Sequence, residues 1–404
     1  MKINDASTSV VVLRCEIGAV CIMRSLGMYG ISITGVDADT HATAFHSKYC
    51  KNKQIIKFDK NKSDEYLENL INLGKTYSKK PLLIQTSDDM AIFIVDHSEQ
   101  LEKYFLFPKN DSELISKIVS KKGMYSLALE NDVPTPVTLF PKNLEDVHKY
   151  CEDGKFPLML KGIYGNHLEA RTGKKMVLVN NKEELVENYL LLEDPAEPNL
   201  MLQEYIPGDD SQVYIFNGYF DADSQCLSAF TGHKLRQNPI HVGSASLGIC
   251  KWNQEVADIT IKFMKDIGYS GILDIGYRYD ARDGKYKVLD INPRVGQAFR
   301  IFVAENGMDV IRSQYMDLTE QNSTEQVVPR EGRRWMIEDD DLISSIHYYQ
   351  EGTLKIKDWL SSFRHVEEGA WFSWRDPLPF VVVLFRLAKK IGIWILKKLR
   401  IYRK

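Results

Sequence analysis

The chain has little of what would fix its compartment or chemistry at once. Six cysteines are scattered through 404 residues, at 15, 21, 50, 151, 226 and 250. None forms a C-x-x-C pair and none has histidine at zinc-finger spacing, so neither a zinc finger nor a disulfide framework is indicated. No window reaches the ~18 uncharged apolar residues of a spanning helix. The apolar run Val10–Leu13 is cut by Arg14, too short for the core of a secretory signal. These absences predict a cytoplasmic protein with reduced thiols. Net charge is also scarce: 52 Lys+Arg face 55 Asp+Glu, a balance of −3. A general nucleic-acid binder would show a basic excess and is excluded. There is no internal repeat and no low-complexity segment. What is present is apolar material, 44% of residues with 11% aromatic, which excludes a mostly disordered chain.

Length predicts two to three domains. Residues 9–13 read as a buried strand, 18–29 as a helix stopped by Gly30, and 31–36 as a second strand ending at Asp37. That is a βαβ unit with a parallel pair. Helices over 65–75 and 90–104, with a strand over 81–85 between them, complete a doubly wound unit in residues 1–110. Its first turn, Arg14 to Gly18, lacks G-x-G-x-x-G, which favours a Rossmann-like scaffold without a nucleotide of its own. A helical stretch over 112–131 ends at Val133-Pro134-Thr135-Pro136. Then the texture changes to short strands, at 157–161, 175–179, 200–204, 212–216, 226–232, 272–279 and 285–291, with a helix over 255–267. Residues 162–174, with three glycines, read as a flexible loop. The fold class is α/β plus α+β.

The strongest chemical signal is Val288-Leu289-Asp290-Ile291-Asn292-Pro293-Arg294. Alternation puts Asp290 and Asn292 on one strand face. Both offer hard oxygens that suit magnesium, which takes few protein ligands and several phosphate oxygens. Arg294, just beyond, can hold a carboxylate or phosphate through two parallel hydrogen bonds. The plainer alternative is a strand end with a polar turn. Asp274, on the preceding strand, is a further metal candidate, whereas Asp280 and Asp283 read as turn residues. Lys161 ends an apolar strand and either snorkels to solvent or reaches a ligand. With Lys175 it brackets the glycine-containing segment as a polyphosphate clamp, although the spacing is not that of a Walker loop.

In this order the motifs resemble the ATP-grasp ligases. The order is Lys161, Lys175, Gln203-Glu204-Tyr205-Ile206-Pro207-Gly208, Lys234-Leu235-Arg236, then Asp290-Ile291-Asn292-Pro293-Arg294. Residues 110–315 fit the family, in its carboxylate–amine ligase branch that includes D-aspartate ligase-like proteins. The resemblance implies a Rossmann-like domain (1–110) and a two-lobed ATP-grasp domain (111–320); the residues beyond read as a helical extension (321–376) and a basic amphipathic segment (377–404). It implies ATP with Mg2+ or Mn2+, and a small carboxylate joined to an amine through an acyl phosphate. Lys161 and Lys175 would bind phosphates. Glu204 and the backbone of Tyr205 and Ile206 would face adenine, and Asp210, or else Asp209, the ribose. Lys234 and Arg236 would line the acyl-phosphate site. Asp290 and Asn292 would hold metal, with Asp274 replacing an acid that this chain lacks at Gly276. Arg294 would orient the carboxylate. Two more departures are Gly162 where Pro is usual and Asp290 where Glu is usual. The rival readings are a degenerate nucleotide sensor or scaffold, and an ATP-grasp enzyme with another nucleophile.

Residues 330–376 read as charged helical stretches whose aromatics, Trp335, Trp359, Trp371, Phe372 and Trp374, pack on the core or cover the site. Segment 380–404 holds eight Lys/Arg and no acid, so the rest of the chain carries −11. On a helical wheel Arg386, Lys389, Lys390, Lys397, Arg400 and Lys404 oppose Leu384, Leu387, Ala388, Ile391, Ile395 and Leu399. That is the profile of an interfacial helix on an anionic membrane. The alternative is a helix docked on this chain or on a twin subunit in a homodimer.

Overall fold

The computed structural model describes residues 1–174, 176–321 and 326–401, with side chains omitted at 165, 166 and 390–401. Lys175, predicted as a phosphate ligand, lies outside the described residues, as does most of the side-chain pattern predicted for the basic tail.

The N-terminal part is a four-stranded parallel sheet in the order Cys50–Ile55, Ile33–Asp37, Val10–Leu13, Leu82–Gln85. Alternation explains its unbroken apolar strands. Val10 and Val12 join the core that includes Ile22 and Leu26 of helix Ile17–Gly27. Val11 and Leu13 face Leu70 of helix Ser63–Gly74 and Phe93 of helix Asp88–Asp96. A sheet covered on both faces needs apolar residues at every position. The edge strand Cys50–Ile55 is polar and half-exposed, and so gives no hydrophobic signal in sequence. The long helices expected over 90–104 and 112–131 are each two, broken at His97 and at Ser120.

Two more sheets follow, antiparallel except for the parallel pair Arg334–Met336 and Val366–Gly369. The smaller sheet has the order Thr138–Leu139, Leu200–Glu204, Leu158–Gly162, Met176–Val179. The larger runs Lys285–Asn292, Gly271–Asp280, Val213–Phe220, Cys226–Asn238, Ser244–Cys250, Arg334–Met336, Val366–Gly369. Its last two strands come from the region expected to be helical, and helix Glu338–Glu351 lies between them in sequence. The segment expected to be a loop contains a helix, Gly165–Thr172, closed by Gly173 at φ +73. Its glycines flank the helix, and Gly173 supplies the left-handed cap that L-residues resist.

One core joins the N-terminal sheet to the large sheet and the C-terminal residues. It contains Val10, Ile33, Phe230, Phe302, Tyr315, Trp335 and Trp371. Arg24, buried, donates to the carbonyls of Gly369, Ala370 and Trp371 at 2.5–3.1 Å and to Asp376 at 3.2 Å. A cavity of about 190 Å3 lies beside Asp37, walled by Val383, Arg386 and Leu387. Asp37 itself accepts the Cys15 N–H at 2.6 Å.

Candidate active site

The hairpin Gly271–Asp280/Lys285–Asn292 sets the acidic half of the site. Its register pairs Asp274 with Asn292 and Gly276 with Asp290. Asp274 accepts from Asn217 Nδ2 at 2.7 Å. Burial pushes its carboxyl up to about 6, against the pull of Arg294 and Asn217. Gly296 must lack a side chain, since a Cβ there would stand 2.8 Å from Asp274 Oδ2. Asp290 pairs with Lys121. Desolvation raises the Asp290 carboxyl, but the charge and hydrogen bond of Lys121, with Arg294 and Asn292, together outweigh it and hold the carboxyl below its ordinary value. Asn292 Oδ1 accepts from Arg294 at 3.2 Å, and Arg294 Nε donates to Asp88 of the N-terminal part at 2.7 Å. Asp280 ends its strand and accepts from Arg282 N–H at 3.0 Å, as a turn residue does, and also pairs with buried Lys287 at 2.7 Å.

The basic half comes from both sheets. Lys161 Nζ donates to Gln203 Oε1 at 2.6 Å. Gln203 Nε2 donates to the Tyr125 hydroxyl at 2.7 Å, and Tyr125 donates to Leu289 O at 3.2 Å. Burial, then the charge of Lys121, pushes the Lys161 ammonium down to about 8. Lys234 donates to Gly243 O at 2.8 Å and to Gln237 Oε1 at 3.2 Å, and burial lowers it too. Arg278 donates to Gly208 O at 2.5 Å, while its Nε is buried without a partner among the described residues. Lys121, Arg278 and Lys234 all lie close enough to Lys161 for their charges to lower it. Four cations gathered beside two carboxylates repel one another unless anionic charge is brought in.

One predicted residue is placed differently. Arg236 is not in this cluster. It is buried in a two-pronged pair with Asp341, 2.8 Å at each prong, and donates to Ser362 at 2.9 Å. Plain alternation would put Lys234 and Arg236 on one face, but the ladder shifts register on both sides of Arg236. The irregularity turns Arg236 away and brings Gln237 in, as bulges do. Gln237 donates to Asp210 at 2.8 Å, and Asp210 also accepts from Tyr348 and meets His241 Nδ1 at 3.2 Å. Asp209 accepts the Ser211 N–H at 2.9 Å. Glu204 pairs with Lys287 at 2.8 Å, and Ile206 is buried beside half-exposed Tyr205.

Lys121, Arg278 and Gln237 were missed in sequence. Lys121 did carry a signal: Lys121 and Lys122 open helix Lys121–Glu130, where the helix dipole disfavours cations. A lysine kept there points to an acid or phosphate nearby. Among the described residues no three His, Cys, Asp or Glu converge as a metal cage. The donor set Asp274, Asp290 and Asn292 still fits magnesium, since two carboxylates and an amide oxygen suffice when phosphates fill the other positions.

Comparisons with known proteins bear on the fold. No protein-family model matches the chain. It is 29% identical over 299 residues to a D-aspartate ligase of Enterococcus faecium (strain Aus0004), covering 70% of each chain. Its structure resembles an L-amino acid ligase from Bacillus licheniformis, with TM-score 0.60, 13% identity, and 81% and 78% of the two chains covered. It also resembles the biotin carboxylase domain dimer of Hydrogenobacter thermophilus 2-oxoglutarate carboxylase, in complex with MgADP, ADP and bicarbonate. There the TM-score is 0.62, with 17% identity and 81% and 73% coverage. The chain is thus similar in sequence to a D-aspartate ligase over 70% of its length and shares the fold of these solved ligase and carboxylase structures.

Proposed function

We propose that the chain is an ADP-forming ligase that joins a carboxylate, of the amino-acid class, to an amine through an acyl phosphate. One observation carries the proposal: Lys121, Lys161, Lys234 and Arg278 converge with Asp274, Asp290 and Asn292 between two sheets. A substrate carboxylate oxygen attacks the γ-phosphorus of ATP, and ADP leaves. The amine then attacks the acyl carbon, inorganic phosphate leaves, and the amine's proton passes to solvent. No enzyme nucleophile is required, so the side chains position groups and neutralise charge.

Lys161 and Lys234 hold phosphate oxygens, with Arg278 and Lys121 completing the field. Arg294, braced by Asp88, orients the carboxylate. Tyr205 and Ile206 offer backbone to adenine, Glu204 borders it, and Asp210 is the ribose partner. Magnesium, when bound, supplies charge neutralisation on the phosphates, and Asp274, Asp290 and Asn292 would hold it. The N-terminal sheet serves as a Rossmann-like scaffold, and a homodimer is the assembly we propose. The proposed location is the inner face of a membrane, reached through segment 380–404.

The decisive measurement is a phosphate-release screen over carboxylates and amines with ATP and magnesium, beginning with aspartate. ADP, phosphate and amide in equal amounts are expected. The Lys121–Asp290 pair and Gly276 favour a second reading, a nucleotide sensor that no longer turns over; ATP binding without hydrolysis under every substrate pair would select it.

The Lys161 ammonium titrates near 8, below the ordinary lysine value, so its charge is present at neutral pH and lost as pH rises. The apparent kcat/KM for ATP is therefore expected to fall on an alkaline limb near 8, since kcat/KM reports the free enzyme. Lys161→Arg, which stays charged throughout, is expected to flatten that limb even if turnover drops. An unchanged kcat/KM up to about pH 9.5, well above the depressed value, would remove Lys161 from the phosphate site.

A further inference from the structure

The C-terminal helix, Leu378–Ile401, has two faces with different surroundings. One is docked. Val383 is buried at 8% exposure, and Phe380 packs on the core with its ring 5.4 Å from Phe372. Arg386 donates to Thr43 Oγ1 at 2.8 Å and to the His41 carbonyl at 2.5 Å, and lies 3.6 Å from Asp39. These contacts fix the rotation of the helix about its axis. At about 100° per residue, Leu378, Val381 and Phe385 then lie on the outer side. They are exposed at 54, 39 and 73%, and Leu384 beside them at 46%. Trp374, 89% exposed, stands one turn before the helix, its ring edge-on to Phe372 at 4.9 Å. Scattered apolar residues on a surface are ordinary; a stripe at helical spacing headed by an exposed tryptophan is not.

We propose that the face formed by Trp374, Leu378, Val381 and Phe385 inserts into the interfacial layer of an anionic membrane. The inference rests on the membrane location proposed above and assigns the inserting face. Charge decides the occupant. Between 380 and 404 the sequence carries eight Lys/Arg and no acid. Two copies packed along it would bring like charges together, whereas anionic headgroups neutralise them. Tryptophan favours the interfacial layer, where its ring is apolar and its N–H stays wet. No helix among the described residues is long and apolar enough to cross a membrane, so the contact is in-plane.

The full chain is to be sedimented with vesicles of phosphatidylcholine alone or mixed with phosphatidylglycerol, at low and high salt. Binding is expected only to the mixed vesicles and is weakened by salt. Phe385→Glu and Val381→Glu, both surface positions, are expected to lower partitioning at least ~tenfold while melting temperature and phosphate release stay at wild-type values. Wild-type chain left in the supernatant with mixed vesicles overturns the proposal, as does full binding by Phe385→Glu. A dimer by light scattering that Phe385→Glu splits, without vesicle binding, assigns the face to a second copy and also overturns it. The readout is partitioning, so an inactive ligase leaves this inference standing, and failed partitioning leaves the ligase reading standing.

Discussion

Asp290→Ala is expected to lower ATP-dependent amide formation by roughly 10^2–10^3-fold or more, the scale of losing a charge-stabilising group at a reacting centre. Two effects oppose each other in this variant. The hairpin loses one of its hard oxygen donors, which weakens the hold on magnesium. The Lys121 ammonium loses the carboxylate it pairs with and adds its full charge to the field around Lys161. ATP without magnesium is therefore expected to bind Asp290→Ala at least as tightly as wild type, while turnover collapses. Calorimetric binding of ATP with and without magnesium, beside ADP release, separates the effects. Wild-type-like ADP release would contradict the metal assignment. Asp290→Asn is the conservative control: it keeps volume and one acceptor, and should retain more magnesium binding than the alanine variant.

Arg236→Ala is expected to act on stability. Its two hydrogen bonds to Asp341 lie in the interior, where Asp341 has no exposed surface. Removing one partner of a buried pair leaves the other charge uncompensated, at a cost of about 3–5 kcal/mol. Asp341→Ala should cost a similar amount. Replacing both with apolar residues of similar volume should recover most of it, because the desolvation cost disappears with the charges. Denaturant unfolding of the two single variants and the double variant measures this. Folded Arg236→Ala protein should bind ATP like wild type. Wild-type stability with abolished turnover would instead return Arg236 to the acyl-phosphate site.

The two residues show how far sequence reasoning reaches. Asp290 and Asn292 were readable because the ladder keeps its register between them, its irregularity falling just before Asp290, so alternation places them. Lys234 and Arg236 are also two apart, yet a register irregularity separates them, and neither composition nor spacing marks it. The helix Gly165–Thr172 was hidden because glycine count was taken as flexibility, whereas Gly173 is the cap that ends it. Trp335 and Trp371 are buried, consistent with packing on the core, but Trp374 stands in solvent. Lys161 ended an apolar strand as expected, and its Gln203 partner appears only when the antiparallel register sets Met159 and Lys161 beside Gln203 and Met201.

By itself the sequence determined the local periods: a parallel βαβ start and an antiparallel hairpin that carries its acids on one face. These follow from side-chain direction along a single strand or helix, which needs no partner. The tertiary structure decided the pairings: Lys121 with Asp290, Arg294 with Asp88, Arg236 with Asp341, and which face of the last helix is covered. Each joins residues 100 or more positions apart, so it depends on how the sheets stack and where a strand slips register. Buried charges must be paired whatever the local pattern prefers.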